Sequence, residues 1–230
     1  MTGLKGNRMH VQVTGITKKY GKKVVLKGAG FEASSGECIG IVGKNGSGKS
    51  TLLSILAGVL KPDAGVFLTD GQDVIKNPEL RHQNVAYVPQ GTPLIGELSA
   101  RDNLRMWYSA EELEKGLSTG FLKVLGIDEF TDVPVNNMSG GMKKRLSIGC
   151  AINNDPRVLL LDEPSAALDL ICREEIYAYF KAFLQSGGIL ILVTHELREI
   201  AMCDKCFLMK DGVLVPYTYD ENVTRLIELM

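Results

Sequence analysis

No apolar run in this chain is long enough to cross a bilayer. The longest, such as residues 158–161 and 189–193, fall far below the roughly 20 residues that a spanning helix needs. Any membrane role must therefore act through a partner. Nor does one sign of charge dominate: 26 Lys and Arg face 27 Asp and Glu, for a formal net charge of −1. That balance supplies no basic field for nucleic acid, and none is expected as a partner. Residues 1–10 contain Lys5 and Arg8 but no apolar segment after them, so a signal peptide is not expected. Cysteine is sparse and uneven in number: Cys38, Cys150, Cys172, Cys203 and Cys206. An odd, scattered set without an export signal predicts reduced thiols, not a disulfide framework. Cys203-Asp204-Lys205-Cys206 has the spacing of half a zinc site or a redox pair. No second pair accompanies it, so plain packing or surface thiols are expected. Internal repeats and low-complexity segments are absent.

What remains is an ordinary folded composition. The 230 residues are 45% apolar and 23% charged, enough for one large domain or two small lobes. Val11 and Val13 alternate with polar residues as an early strand, and Tyr20-Gly21-Lys22-Lys23 reads as a turn before a strand over 24–31. Residues 66–69 followed by Asp70-Gly71 predict a hairpin. Asn77-Pro78 predicts a helix start, and 85–88 a short strand ending at Pro89-Gln90. From about 99 to 154 the pattern is helical. Ser99 is a cap, with Asp102 three residues on. Leu113, Leu117, Phe121, Leu122 and Leu125 fall on one face of a helix that Gly126 closes. Strands resume at 157–161 and 189–193, around a helix over 170–186 with Ile176, Tyr179, Phe180, Phe183 and Leu184 buried. A short helix over 196–202 leads to a strand at 207–209 and the turn Asp211-Gly212, and the tail 220–229 is weakly helical.

The chain is organised around Gly43-Lys44-Asn45-Gly46-Ser47-Gly48-Lys49-Ser50-Thr51. An apolar strand precedes it and a run of helix formers follows, which is the arrangement of a P-loop. Gly46 and Gly48 remove side chains, so backbone N–H groups can wrap an anion. The helix starting near Lys49 adds the positive end of its dipole. Lys49 brings a full charge to the β- and γ-phosphates, and Ser50 offers a hydroxyl to Mg²⁺. Further on, four apolar residues at 158–161 end in Asp162-Glu163. A carboxylate at the C-terminal end of a buried strand lies where an α/β sheet binds ligands, so Asp162 can hold Mg²⁺. Glu163 points elsewhere and can polarise an attacking water. Met138-Ser139-Gly140-Gly141 opens another helix, with Ser139 as its cap and two glycines that admit a phosphate. One chain with one P-loop has no need of two anion sites, whereas a site completed by a second copy uses both. The following Lys143-Lys144-Arg145 is expected to be a solvated helix face.

With these motifs in order, the chain resembles the nucleotide-binding domain of ATP-binding cassette (ABC) transporters over essentially its whole length. Residues 43–51 resemble the family's Walker A motif and 158–163 its Walker B. Ser139-Gly140-Gly141 resembles the signature motif, 23 residues before Asp162. Gln90 resembles the Q-loop glutamine, Ser165-Ala166-Ala167-Leu168-Asp169 the D-loop, and His195 the switch histidine. Tyr20 stands where the family places an aromatic ring against adenine. Three positions depart from the commonest pattern: Met138 for leucine, Met142 for glutamine, and Ala167 for glycine. None removes a phosphate ligand or the expected base. Met142 followed by the basic run also resembles cassettes that pair with ABC-2-type export permeases.

The resemblance implies an α/β P-loop NTPase with a RecA-like core, an N-terminal antiparallel β region and an inserted α-helical subdomain. Residues 1–90 and 155–230 would form the core, and 91–154 the helical part of a single domain. It implies an ATP-hydrolysing subunit, cytoplasmic and peripheral on the inner face of the membrane, that drives a separate permease for export. ATP would lie between two cassettes, identical or related, held by Tyr20, residues 43–51 and Gln90 of one and Ser139, Gly140 and Gly141 of the other. Asp169 would link the two sites. Glu163, His195 and Lys49 would be catalytic, and Ser50, Gln90 and Asp162 would surround Mg²⁺. Import remains an alternative, as does a non-transport ABC ATPase on ribosomes or DNA. The 48 residues between Gln90 and Ser139 leave little room for the long arm such proteins carry.

Overall fold

The computed structural model describes residues 9–220 and 222–229, so Lys5 and Arg8 of the expected leaderless start lie outside it. Along the chain run β1 (His10–Tyr20), β2 (Lys23–Ser34), β3 (Cys38–Val42), α1 (Lys49–Leu56), β4 (Ala64–Thr69), β5 (Gln72–Asp73), α2 (Pro78–Asn84) and β6 (Val85–Val88). A helical stretch follows, with α3 (Ala100–Arg105), α4 (Ala110–Thr119), α5 (Phe121–Val124) and α6 (Gly140–Ala151). Then come β7 (Val158–Asp162), α7 (Leu170–Gln185), β8 (Ile189–Val193), α8 (Leu197–Ala201), β9 (Lys205–Lys210), β10 (Val213–Tyr217) and α9 (Val223–Leu229). One sheet is antiparallel, in the order β2-β1-β4-β5. The other runs β10-β9-β3-β8-β7-β6 and is parallel except for the β9–β10 hairpin.

The all-apolar strands explain why the parallel sheet is covered on both sides. Side chains alternate faces along a strand, so a strand without polar positions must be buried twice. Val158 and Leu160 of β7, with Ile189 and Ile191 of β8, pack with Leu52, Leu53 and Leu56 of α1 and with Val13, Leu26 and Phe67 of the antiparallel sheet. The alternate residues Leu159, Leu161, Leu190 and Leu192 pack on the other side with Ile176 and Phe180 of α7 and Leu122 and Leu146 of the helical region. Each such side chain is worth about 1.5–3 kcal/mol when fully buried. Helix α1 is thus fixed between two sheets, and its N-terminus lies at the C-terminal end of β3.

Both Asp-Gly turns form as expected. Asp70 and Gly71 have φ of 49° and 79°, and Asp211 and Gly212 have 51° and 82°. Positive φ at both central residues matches the right-handed twist of a hairpin. Asn77 caps α2 and Ser99 caps α3 through their side chains. The helix expected over Leu113 to Leu125 is broken. Gly120, at φ −95° and ψ −167°, is extended and separates α4 from α5. A Cβ on Gly120 would lie 2.9 Å from the Gly116 Cα, so the chain folds back here over its own helix. The apolar residues on either side still share one cluster. Gly126 is left-handed, φ 62°, and ends the segment as expected.

The basic run is a second correction. Lys144 and Arg145 are 5% and 6% exposed, not solvated. Much of helix α6 is buried, and each charge has found acceptors there. Arg145 donates to the Leu125 carbonyl at 3.1 Å and pairs with Glu175 at 2.9 Å.

Candidate nucleotide site

The loop between β3 and α1 gets its shape from glycines. Gly43, Gly46 and Gly48 have φ of 150°, 78° and 112°, where an L side chain is strained. A Cβ on Gly43 would also meet the Met209 carbonyl at 2.6 Å. Gly48 is the cap residue of α1, so the helix begins at Lys49 with its free N–H groups toward the loop. Lys49 is buried, and its ammonium donates back to the carbonyls of Gly43 at 2.5 Å and Lys44 at 3.0 Å. Burial pulls its pKa down, against the attraction of Glu163 and Asp162.

Asp162 ends β7 and is only 4% exposed. Burial pushes its pKa up, opposed by a hydrogen bond from the Ser50 hydroxyl, while repulsion from Glu163 adds to the rise. The next residue turns away: Glu163 has a left-handed φ of 48°, and its N–H donates to the Val193 carbonyl at 2.8 Å. Its carboxylate therefore leaves the sheet and enters the cleft. There Oε2 accepts from Gln90 Nε2 at 2.8 Å, and Oε1 lies 3.7 Å from His195 Nε2. His195 follows Thr194, whose N–H donates to the Ile41 carbonyl. Burial and the Lys49 charge lower the His195 pKa, and Glu163 partly offsets them.

These groups line one cleft of about 650 Å³, with Asn45, Gly46, Gly48, Lys49, Ser50, Thr51, Gln90, Glu163 and His195 on its walls. Lys23 and Val25 of β2 line it too. They are distant in sequence and belong to no motif, so nothing local marks them. The remaining residues of the reading stand apart from this cleft. Tyr20 ends β1, half exposed, with the Lys18 ammonium 5.6 Å from its ring centroid. Ser139 caps α6 by accepting from the Met142 N–H at 3.2 Å. Ser139 and Gly140 are exposed, whereas Gly141 is buried where a Cβ would fall 2.1 Å from Cys172 Sγ. Its bare Cα lets α6 cross α7. Asp169 is the exposed cap of α7, bonded to the Cys172 N–H, and that hydrogen bond lowers its pKa. A further link went unread in the sequence. Arg173 donates to the Leu168 carbonyl and makes a bidentate pair with Glu196, at 2.9 and 3.2 Å. It fastens the loop before α7 to the neighbour of His195.

The five cysteines are free thiols. Cys38 and Cys203 lie 3.4 Å apart at sulfur, and burial helps push the Cys150 thiol up to about 12.

A covered parallel sheet, a glycine-built anion loop after β3, and paired carboxylates at the end of β7, which β8 separates from β3, define a P-loop nucleotide-binding domain of the cassette type. A family model described as "ABC transporter" matches residues 26–166, and the chain belongs to that family. It is similar to "Nod factor export ATP-binding protein I" of Sinorhizobium fredii, 35% identical over 208 residues that cover 88% of this chain. The chain spans 60% of that relative's length. Among solved structures it is similar to an ATP-binding subunit of an ABC transporter, with a TM-score of 0.81 and 26% identity, covering 95% of this chain and 93% of that one. It is also similar to a dimeric ATP-binding cassette in a post-hydrolysis state with ADP and Pi. There the TM-score is 0.79 and the identity 28%, covering 90% and 98% of the two chains. Among the described residues no helix is long and apolar enough to cross a membrane.

Proposed function

We propose that this chain is the ATP-hydrolysing subunit of an exporter, acting on a separate permease at the inner face of the membrane. The observation that carries the enzymatic part is the convergence of Lys49, Ser50, Glu163, Gln90 and His195 on one cleft, with Asp162 hydrogen-bonded to Ser50. The export part rests on the similarity to Nod factor export ATP-binding proteins.

In this reading ATP binds with its phosphates on residues 43–51. Lys49 is already desolvated and held by its own loop, so little solvation is lost when phosphate oxygens replace the loop carbonyls. The corner formed by Ser50 and Asp162 fits Mg²⁺, because a buried carboxylate and a hydroxyl are hard oxygen ligands. Mg²⁺, when bound, would neutralise charge on the β- and γ-phosphates, with Ser50 and Asp162 holding it and Gln90 beside it. Glu163 takes the proton of the water that attacks the γ-phosphorus, as the bond from that phosphorus to the bridging oxygen breaks and ADP leaves with the electron pair. Glu163 Oε1 is the available oxygen, because Oε2 is held by Gln90. His195, kept neutral by burial, donates an N–H to the departing γ-phosphoryl group. Ser139, Gly140 and Gly141 complete the site of a second cassette, and Asp169 lies between the two. Tyr20 supplies the adenine-facing ring.

Phosphate release from ATP by the purified chain tests the enzyme. Ser139→Arg is expected to block ATP-dependent pairing of two cassettes; normal pairing and turnover in that variant would sink the shared site. Affinity capture from detergent-solubilised membranes should bring down a hydrophobic permease. Capture of ribosomes or DNA instead would overturn the transport reading.

A further inference from the structure

Ser139 caps helix α6, and Lys144 lies in its second turn. The Lys144 ammonium is almost fully withdrawn from water, yet among the described residues no carboxylate bonds to it directly, although Asp162, Glu199 and Glu163 lie within reach of its charge. It donates to two successive backbone carbonyls, Pro89 at 3.0 Å and Gln90 at 3.5 Å. Burying an ammonium is expensive unless its protons are placed. Here they are placed on the segment that leaves β6, where the sheet ladder has ended. The side chain of that same Gln90 holds the Glu163 carboxylate at 2.8 Å. One covalently linked residue therefore receives a hydrogen bond from α6 on its backbone and gives one to Glu163 from its amide.

We infer that Lys144 is a positioning residue: it fixes the Pro89-Gln90 backbone against α6 and so sets where Gln90 holds Glu163. Any displacement of α6 is thereby carried to Glu163 through two hydrogen bonds. This inference rests on the ATPase reading for its catalytic consequence, but not for its structural one. The same buried lysine in a purely architectural role would brace α6 and leave the placement of Glu163 untouched.

The test uses the whole chain with Lys144→Met, Lys144→Arg and Gln90→Ala. A displacement of about 1 Å at a catalytic group costs about 100-fold, so Lys144→Met should lower kcat by roughly 10- to 100-fold. KM for ATP should stay within about 3-fold, because the phosphate loop is not touched. Lys144→Arg restores a donor and should recover most of the rate. The Lys144 charge also reaches Asp162 and Glu163, so Lys144→Met should cost much less in the Gln90→Ala background than in the parent chain. Additive losses, or an unchanged kcat in Lys144→Met, would overturn the inference. A readout without turnover keeps the two proposals separable. Amide hydrogen exchange at Gln90 and Gly91 should accelerate in Lys144→Met while that of α1 stays the same. Unchanged exchange there overturns the inference even if the chain hydrolyses ATP. Accelerated exchange in a chain without ATPase activity supports it and fails the enzymatic reading instead. Should Lys144→Met not fold, Lys144→Gln, a shorter neutral donor, is read by the same exchange assay.

Discussion

Glu163→Gln separates binding from hydrolysis more sharply than any other change at this site. The amide is nearly isosteric with the carboxylate, and its oxygen can still accept the 2.8 Å hydrogen bond from Gln90. The left-handed backbone at φ 48° and the N–H bond to Val193 do not depend on the charge. The side chain should therefore stay where it is and lose only its basicity. A positioned general base contributes about 10²- to 10⁴-fold, or roughly 2.7–5.4 kcal/mol at about 1.36 kcal/mol per decade. Turnover should fall by that factor. Binding should move the other way, because a negative charge leaves a cleft built for phosphates. A like charge about 5 Å away costs about 0.8 kcal/mol even at the dielectric constant of water, so ATP should bind up to about 4-fold more tightly. The assay pairs phosphate release with light scattering of an ATP-dependent dimer, which should persist because its ATP is not consumed. A variant that hydrolyses ATP within about 3-fold of the parent rate would refute Glu163 as the base.

Gly48→Ala should cost about 2 kcal/mol or more, because φ is 112° and the new Cβ meets the Val25 carbonyl at 3.2 Å and a Leu26 methyl at 3.0 Å; at about 2–4 °C per kcal/mol, a melting curve would register a loss of several degrees. Ala167→Gly should act in the opposite sense, since Ala167 has φ 58° and glycine relieves about 1 kcal/mol there; an unchanged or lower melting temperature would contradict the strain. The His195 pKa is lowered by burial and by Lys49, so the unfolded chain binds the extra proton first. Stability from this residue is present above its ordinary 6.5 and is lost as pH falls from there through the folded value. An NMR titration should place the His195 midpoint below 6.5, and lower still in Glu163→Gln, where the opposing charge is gone.

The parts of the site that could be read directly are those encoded by a few adjacent residues. Gly43, Gly46 and Gly48 fix a backbone that other residues strain to adopt, and Lys49 and Ser50 follow by chain continuity. Asp162 and Glu163 could be placed because 158–161 is apolar throughout, and such a strand must be covered on both faces before its end reaches a ligand. The Asp-Gly turns were legible for the same local reason. The helical region was legible in kind but not in detail. The apolar spacing of Leu113, Leu117 and Leu122 is kept across the break at Gly120, so periodicity alone does not reveal that the chain turns back.

What escaped the sequence is burial of charge, and the reason is energetic. A Lys-Lys-Arg run on a helix is normally solvated, because each ammonium or guanidinium left without partners in the interior costs several kcal/mol. That penalty is offset when distant partners arrive at the right distance. For Lys144 they are the carbonyls of 89–90, and for Arg145 the Leu125 carbonyl and the Glu175 carboxylate. Neither pairing has a signature in the residues around α6. The same holds for Arg173 and Glu196, whose bidentate contact joins α7 to the residue beside His195. The chemistry of the cleft is therefore written locally, in glycines and carboxylates. The bonds that hold its parts in register are long-range, and they use the charged side chains that a local reading assigns to water.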